Sequence, residues 1–209
     1  MKGKFITFEG GEGVGKTTQL RLIREYLEDK GVDAVFLREP GGNEISEKIR
    51  EVILDRANFD MTGMCEALLY SAARAQLCEK VIRPALEKGK LVICDRFTDS
   101  TFAYQGVARG LGADKIETMN NLACGEIVPD LTVFLDLRPE LAFRRKGGAD
   151  ENDRLEQEGM DFHLKVYEGY RLACSRYGDR IVDIDCSSEA EVTHKKIIDA
   201  LEQRGILTR

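Results

Sequence analysis

The chain has 209 residues, is 43% hydrophobic and 33% charged, and carries a formal net charge of −6. That length is ample for one buried core, and no low-complexity run, internal repeat or Pro/Ser-rich linker divides it, so disorder and a multidomain array are excluded. The acidic balance, with both signs interleaved, argues against a nucleic-acid surface. No apolar run approaches a membrane span or a signal-peptide core, so a cytoplasmic protein is expected.

The first apolar run, Phe5 to Phe8, leads into Gly10-Gly11-Glu12-Gly13-Val14-Gly15-Lys16-Thr17-Thr18 and then into a helical pattern. Strand, then G-x-x-x-x-G-K-T, then helix is the setting of a phosphate-binding loop. Its glycines allow backbone N–H groups to close around phosphate oxygens, Lys16 supplies a point charge, and Thr17 supplies a hydroxyl for Mg²⁺. The first helix is predicted from Lys16 to Lys30, with Leu20, Ile23 and Leu27 on one face and Gly31 as its stop. Strand Ala34 to Leu37 and a helix from Glu44 to Arg56 follow. A long helix is predicted from Met61 to Lys88, bent near Pro84. After strand Leu91 to Cys94 come helices Ser100 to Arg109 and Asp114 to Cys124, then strand Leu131 to Leu135. The remaining elements are helices Pro139 to Lys146 and Arg154 to Tyr177, strand Ile181 to Ile184, and helix Ser188 to Arg204.

Five short, nearly continuous apolar strands alternating with helices predict an α/β P-loop NTPase fold: a five-stranded parallel sheet flanked by helices on both faces, one domain over residues 1–209. The polar, glycine-containing stretch Lys146 to Asp153 reads as part of a lid over about residues 144–155. Six cysteines lie scattered without a C-x-x-C pair and read as free buried thiols. The two histidines, His163 and His194, have no nucleophile signature near them, which argues against zinc sites and histidine-based triads.

Asp95 ends the third strand at the sheet edge where open α/β folds bind ligands, so it is the favoured metal carboxylate together with Thr17. Asp136 ends the fourth strand and is the rival; Asp95 is preferred because Arg96 follows it and the pair can serve metal and phosphate together. Arg38, Arg50, Arg74, Arg96 and Arg109 are placed to open onto the same edge, where the guanidinium fork matches phosphate and base acceptors. Arg38 and Arg109 read equally well as solvated surface residues. Tyr70 and Arg74 are one helical turn apart, so an aromatic plate and a cation share a face suited to a stacked base.

Taken in order, these segments are specific: the P-loop with Glu12, Arg38-Glu39-Pro40-Gly41-Gly42, Ser71-Ala72-Ala73-Arg74, Asp95-Arg96-Phe97, Ser100-Thr101-Phe102-Ala103-Tyr104-Gln105-Gly106, Pro129-Asp130-Leu131-Thr132 and Asp153-Arg154-Leu155-Glu156-Gln157-Glu158. Over essentially its whole length the chain resembles the bacterial thymidylate kinases. The resemblance implies transfer of the γ-phosphoryl group of ATP to dTMP, giving dTDP, by a Mg²⁺-dependent homodimer. It further implies that Arg50 and Arg96 hold the dTMP phosphate, with Glu39 in the same substrate site. Tyr70 would stack on thymine, and Arg74, Thr101 and Gln105 would read its edge. Tyr104 would crowd the sugar 2′ position, Glu12 would contact the 3′-hydroxyl, and Lys16, Thr17 and Asp95 would manage ATP phosphates and metal.

The chain departs from the family in its catalytic cation. Gly11, Glu12, Gly13 and Val14 exclude an arginine inside the P-loop, and Ala149-Asp150-Glu151-Asn152 stands where relatives commonly carry one in the lid. Arg145 is the first choice for this cation, with Lys146 and Arg154 as alternatives. The nearest rival function is a kinase for another nucleotide or deoxynucleoside. A nucleotide-hydrolysing switch is the rival from a different class, and the GTPase base-reading pattern N-K-x-D is absent.

Overall fold

The structure is a computed structural model that describes residues 3–147, 154–155 and 157–207. Five strands, β1 (Lys4–Glu9), β2 (Ala34–Arg38), β3 (Leu91–Asp95), β4 (Leu131–Asp136) and β5 (Ile181–Asp185), form a parallel sheet in the order β2-β3-β1-β4-β5. Every expected strand is present: the central strands β1, β3 and β4 are buried on both faces, and the edge strands β2 and β5 are partly buried. Ile6, Phe8, Ile93, Leu131 and Val133 point into one core layer and Phe5, Val92 and Cys94 into the opposite one, alternating along each strand. The chain winds from β1 outward to β2 and β3, then returns across β1 to β4. The carboxyl ends of β1 and β3 therefore flank the crevice at which such sheets bind ligands.

Helix α1 (Lys16–Asp29) closes on the first core layer beside α9 (Ala190–Gln203). Helix α2 (Glu44–Leu54) starts at the Asn43 cap, whose side chain accepts from the Ser46 N–H. The predicted helix 61–88 is three pieces: α3 (Gly63–Leu77), a π-helical turn Cys78–Ile82, and α4 (Arg83–Glu87). Pro84 lies in the first turn of α4, where its missing N–H is harmless, and the wider turn just upstream, with Arg83 N–H bonded to the Cys78 carbonyl, absorbs the interruption.

The predicted helix 100–109 is likewise α5 (Thr98–Thr101) running into a π-helical segment, Phe102–Ala108. Helices α6 (Ala113–Cys124) and α7 (Pro139–Lys146) match their predicted spans closely. The last long helix is shorter than predicted. α8 spans Met160–Arg176, because Gly159 is extended and Arg154 is drawn aside by bonds to α2 and α3. Residues 148–153 of the predicted lid lie outside the described residues. The cysteines are free, and Cys65 is exposed rather than buried. Among the described residues no helix is long and apolar enough to cross a membrane.

Helix α8 approaches the π-helical segment so closely that a Cβ on Gly169 would stand 2.7 Å from the Ala103 Cα and 2.9 Å from its carbonyl oxygen. This contact seats Tyr170 against Tyr104 and Phe134. Gly169→Ala is expected to destabilise the protein by about 1–3 kcal/mol through overpacking, read as a lower midpoint of thermal unfolding. An unchanged midpoint would show that the two segments can separate freely.

Candidate active site

After β1 the loop turns through Gly10, Gly13 and Gly15, all with positive φ. Gly13 is constrained twice, since its φ is +73° and a Cβ there would meet the Ala142 carbonyl oxygen at 2.5 Å. Helix α1 begins at Gly15 without a side-chain cap, which leaves its first-turn N–H groups for an anion. Lys16 turns back over the loop, its Nζ donating to the carbonyls of Gly10 at 3.1 Å and Gly11 at 3.2 Å. Burial, then the Arg96 charge, lower the Lys16 pKa, and Glu12, Asp95 and Glu9 oppose them.

Across the crevice, Arg96 is the only non-glycine residue with positive φ (68°) among the described residues. An arginine in the left-handed region costs about 1 kcal/mol or more. The turn is held by the Arg96 N–H on the Phe8 carbonyl at 2.9 Å, and it throws the side chain toward the P-loop. There Nη2 pairs with Glu12, while Nη1 donates to the Gly10 carbonyl at 3.0 Å and to the Tyr170 hydroxyl at 3.1 Å. Burial pushes the Glu12 carboxyl up, but Arg96, Lys16, the Tyr104 hydroxyl and Lys146 together bring it down to about 2.

These groups line one side of a cleft of about 300 Å³ whose other walls carry Glu39, Arg50, Tyr70, Arg74, Thr101, Tyr104 and Gln105. Every predicted acceptor-binding residue is thus brought to one place. Arg74, 1% exposed, donates to Glu39 at 2.7 Å, Asn120 Oδ1 at 2.8 Å, the Phe97 carbonyl at 3.0 Å and Thr101 Oγ1 at 2.8 Å. Of its five N–H groups, those bonds leave one at Nη1 for a ligand among the described residues. Arg50 donates to the Pro40 carbonyl at 3.0 Å, and the Tyr104 hydroxyl donates to Glu12 at 3.2 Å.

Thr17 and Asp95 face the same cleft, and Asp95 Oδ1 is buried without a protein partner among the described residues. A carboxylate oxygen left open beside a hydroxyl fits a hard divalent cation such as Mg²⁺. No cluster of three or more His, Cys, Asp or Glu side chains able to hold an ion occurs among the described residues, so the rest of such an ion's shell falls to phosphate and water. Asp136 does not line the cleft; it accepts from Arg171 at 3.1 Å.

The predicted lid cations separate. Arg145 is not brought to the cleft: it donates to the carbonyls of Cys186 at 2.9 Å and Ser187 at 3.2 Å, and lines a second hollow with Val14, Gly15 and Thr18 on the far side of the P-loop. Arg154 is buried against Glu66. Lys146 packs near Gly13, and its charge acts on Glu12. Arg109 does not line the cleft; it pairs with Glu66 and Glu158 beside it. Sequence reasoning gave no role to Glu9, Ser100 or Tyr170, which meet at the base of Arg96: Glu9 accepts from the Phe97 N–H at 2.7 Å, Ser100 Oγ at 2.6 Å and the Tyr170 hydroxyl at 3.1 Å. Glu9 ends an apolar strand directly before the P-loop, which was a readable signal; Tyr170 offers none, because only the fold brings α8 there.

A parallel sheet with a P-loop after its first strand, and an Asp-Arg turn after the neighbouring strand facing a polar cleft, defines a P-loop NTPase. Residues 8–197 match the family model described as thymidylate kinase. The thymidylate kinase of Thermoanaerobacter sp. (strain X514) is 48% identical over 203 residues, covering 97% of this chain and 99% of that protein. That of Bacillus velezensis is 46% identical over 204 residues, 97% of this chain and 95% of the relative. The crystal structure of thymidylate kinase from Ehrlichia chaffeensis superposes with a TM-score of 0.79 at 32% identity, over 97% of this chain and 99% of that one. The chain belongs to the thymidylate kinase family.

Burial, then the Asp99 charge, raise the Glu9 carboxyl to about 7 against the bonds from Ser100 and Phe97 and the Arg96 charge. The folded state therefore holds this proton up to about pH 7, whereas the unfolded chain releases it near its ordinary value of 4.5, so stability falls as pH rises through that window. Glu9→Gln keeps the shape and removes the titration. Its thermal midpoint should gain on the wild type progressively from about pH 5 to 7 and then level off, and a constant difference across that range would contradict the assignment.

Proposed function

We propose that this cleft, in a single domain with a lid at about residues 144–155, transfers the γ-phosphoryl group of ATP to dTMP to form dTDP. The observation that carries the reading is the meeting of Lys16, Asp95 and Arg96 with the Tyr70, Arg74, Thr101 and Gln105 wall in one cleft, within a chain of the thymidylate kinase family. ATP phosphates lie on the P-loop N–H groups and Lys16, and the nucleoside end of ATP extends toward the second hollow edged by Arg145. The dTMP phosphate meets Arg96 and Arg50. Tyr70 stacks on the base, Arg74 donates its remaining N–H to thymine O4, and Tyr104 occupies the space of a ribose 2′-hydroxyl next to Glu12.

The acceptor phosphate is already anionic at neutral pH, so the reaction needs alignment and charge neutralisation rather than a strong base. Thr17 and Asp95 would hold Mg²⁺, which when bound offsets phosphate charge. Lys146, beside Gly13 and felt by Glu12, is the lid cation this reading assigns to the reacting groups. The homodimer is supported by exposed apolar side chains on the packed helices α3 and α6, Leu68 (55%) and Leu122 (82%), and its mass in solution tests it. A cytoplasmic location suits a reaction on free nucleotides.

The test is ADP release with ATP, Mg²⁺ and each nucleoside monophosphate in turn. dTMP should give the highest kcat/KM, with dCMP lower by about tenfold or more because an unpaired buried polar group costs about 1–3 kcal/mol, and UMP lower because Tyr104 stands where its 2′-hydroxyl would go. In the same assay Lys146→Ala should lower kcat more than it changes KM. Equal use of dTMP and dCMP would remove this reading.

A further inference from the structure

Glu66 lies on α3 with no solvent exposure and is not part of the cleft wall. Its carboxylate gathers three side chains from two other parts of the chain. Gln105 Nε2 donates to Oε1 at 2.8 Å; Arg109 donates from Nε to Oε1 at 3.3 Å and from Nη2 to Oε2 at 3.2 Å; Arg154 donates from Nη2 to Oε2 at 2.5 Å. Glu158 takes a further contact from Arg109 at 2.7 Å. Two carboxylates and two guanidiniums thus balance in charge. Burial pushes the Glu66 carboxyl up, and the bonds from Arg109, Gln105 and Arg154 outweigh it, holding the group ionised.

An ionised carboxylate only accepts hydrogen bonds. Beside it, the Gln105 amide must present its NH₂ to Glu66, which leaves the carbonyl oxygen to the cleft that Gln105 lines. A carbonyl offered to a base suits the N3–H of thymine and opposes the N3 lone pair of cytosine. The same carboxylate fixes Arg154, whose Nε also donates to the Ile53 carbonyl at 3.0 Å, and the adjoining Leu155 is buried on the cleft wall.

We propose that Glu66 is a positioning residue for base recognition: it holds the Gln105 amide with its carbonyl toward the base and anchors Arg154 and Leu155 as one wall of the cleft. This rests on the reading of the cleft as a dTMP site. Neither the bond from Gln105 nor the pair of arginines depends on the P-loop, so the effect belongs to acceptor choice and not to ATP.

The experiment measures kcat/KM for dTMP and dCMP in the wild type and in Glu66→Gln, each also in a Gln105→Ala background. A glutamine at 66 can donate as well as accept, so the Gln105 amide is free to turn over. The dTMP/dCMP ratio should fall by about tenfold, as expected when one buried polar contact is mismatched, chiefly through a higher KM for dTMP. In the Gln105→Ala background the same substitution should leave the ratio unchanged. An intact ratio in Glu66→Gln, or a shift that persists without Gln105, overturns the proposal, since a merely structural role would lower both substrates alike. No dTMP preference in the wild type would overturn the underlying reading and the proposal with it. Should Glu66→Gln fail to fold, the wild type decides by NMR: slow solvent exchange of the Gln105 side-chain N–H protons supports the bond to Glu66, and fast exchange overturns it.

Discussion

The ion pair between Arg96 and Glu12 ties together the two strand ends on which the site is built. β1 carries the P-loop and β3 carries the Asp-Arg turn; their register brings Phe8 opposite Asp95, and the Arg96 N–H closes on the Phe8 carbonyl. The left-handed backbone at Arg96 is strained, and the bonds around it hold it in place. Bringing two anionic phosphates together costs Coulomb energy that grows in a closed cleft, so the cations must stand in position before the ligands arrive. Glu12 keeps Arg96 and Lys16 from repelling each other in the meantime, which is why its carboxyl is held near pH 2.

The same logic extends outward as chains of buried charge. Arg74 is almost wholly out of water, yet carries Glu39, Asn120, the Phe97 carbonyl and Thr101 on its guanidinium, so its desolvation is offset by bonds that also fix its direction. Glu66 does the reverse with a carboxylate and three donor side chains. Such groups stabilise little in net terms. Their effect is to leave each ligand-facing atom with one available geometry, which is the condition for reading a base edge.

Much of this was legible in the residues themselves. The strands announce themselves because a parallel sheet buried on both faces needs continuous apolar runs, and the P-loop because its glycines and Lys16 have few other uses. The π-helical segments 78–82 and 102–108 were not legible, since a wider turn leaves no periodicity distinct from an α-helix. The start of α8 was misplaced for a tertiary reason: Arg154 follows helical patterning but is captured by the Ile53 carbonyl and Glu66. Arg145 shows the limit of reading a lid by charge alone, because its guanidinium goes to two carbonyls behind the P-loop. Glu66 did carry a signal, a lone acid sharing a helix face with Ala73 and Leu77, both buried, and a charge in that register demands partners.

The division of the site between donor and acceptor is tested most directly by calorimetric titration of Arg96→Ala with dTMP and, separately, with a non-hydrolysable ATP analogue. Loss of a charge-assisted contact to the acceptor phosphate should weaken dTMP binding by about tenfold or more and leave the ATP analogue within about threefold of wild type. Weakened binding of the ATP analogue with unchanged dTMP affinity would contradict the placement of Arg96 on the acceptor side.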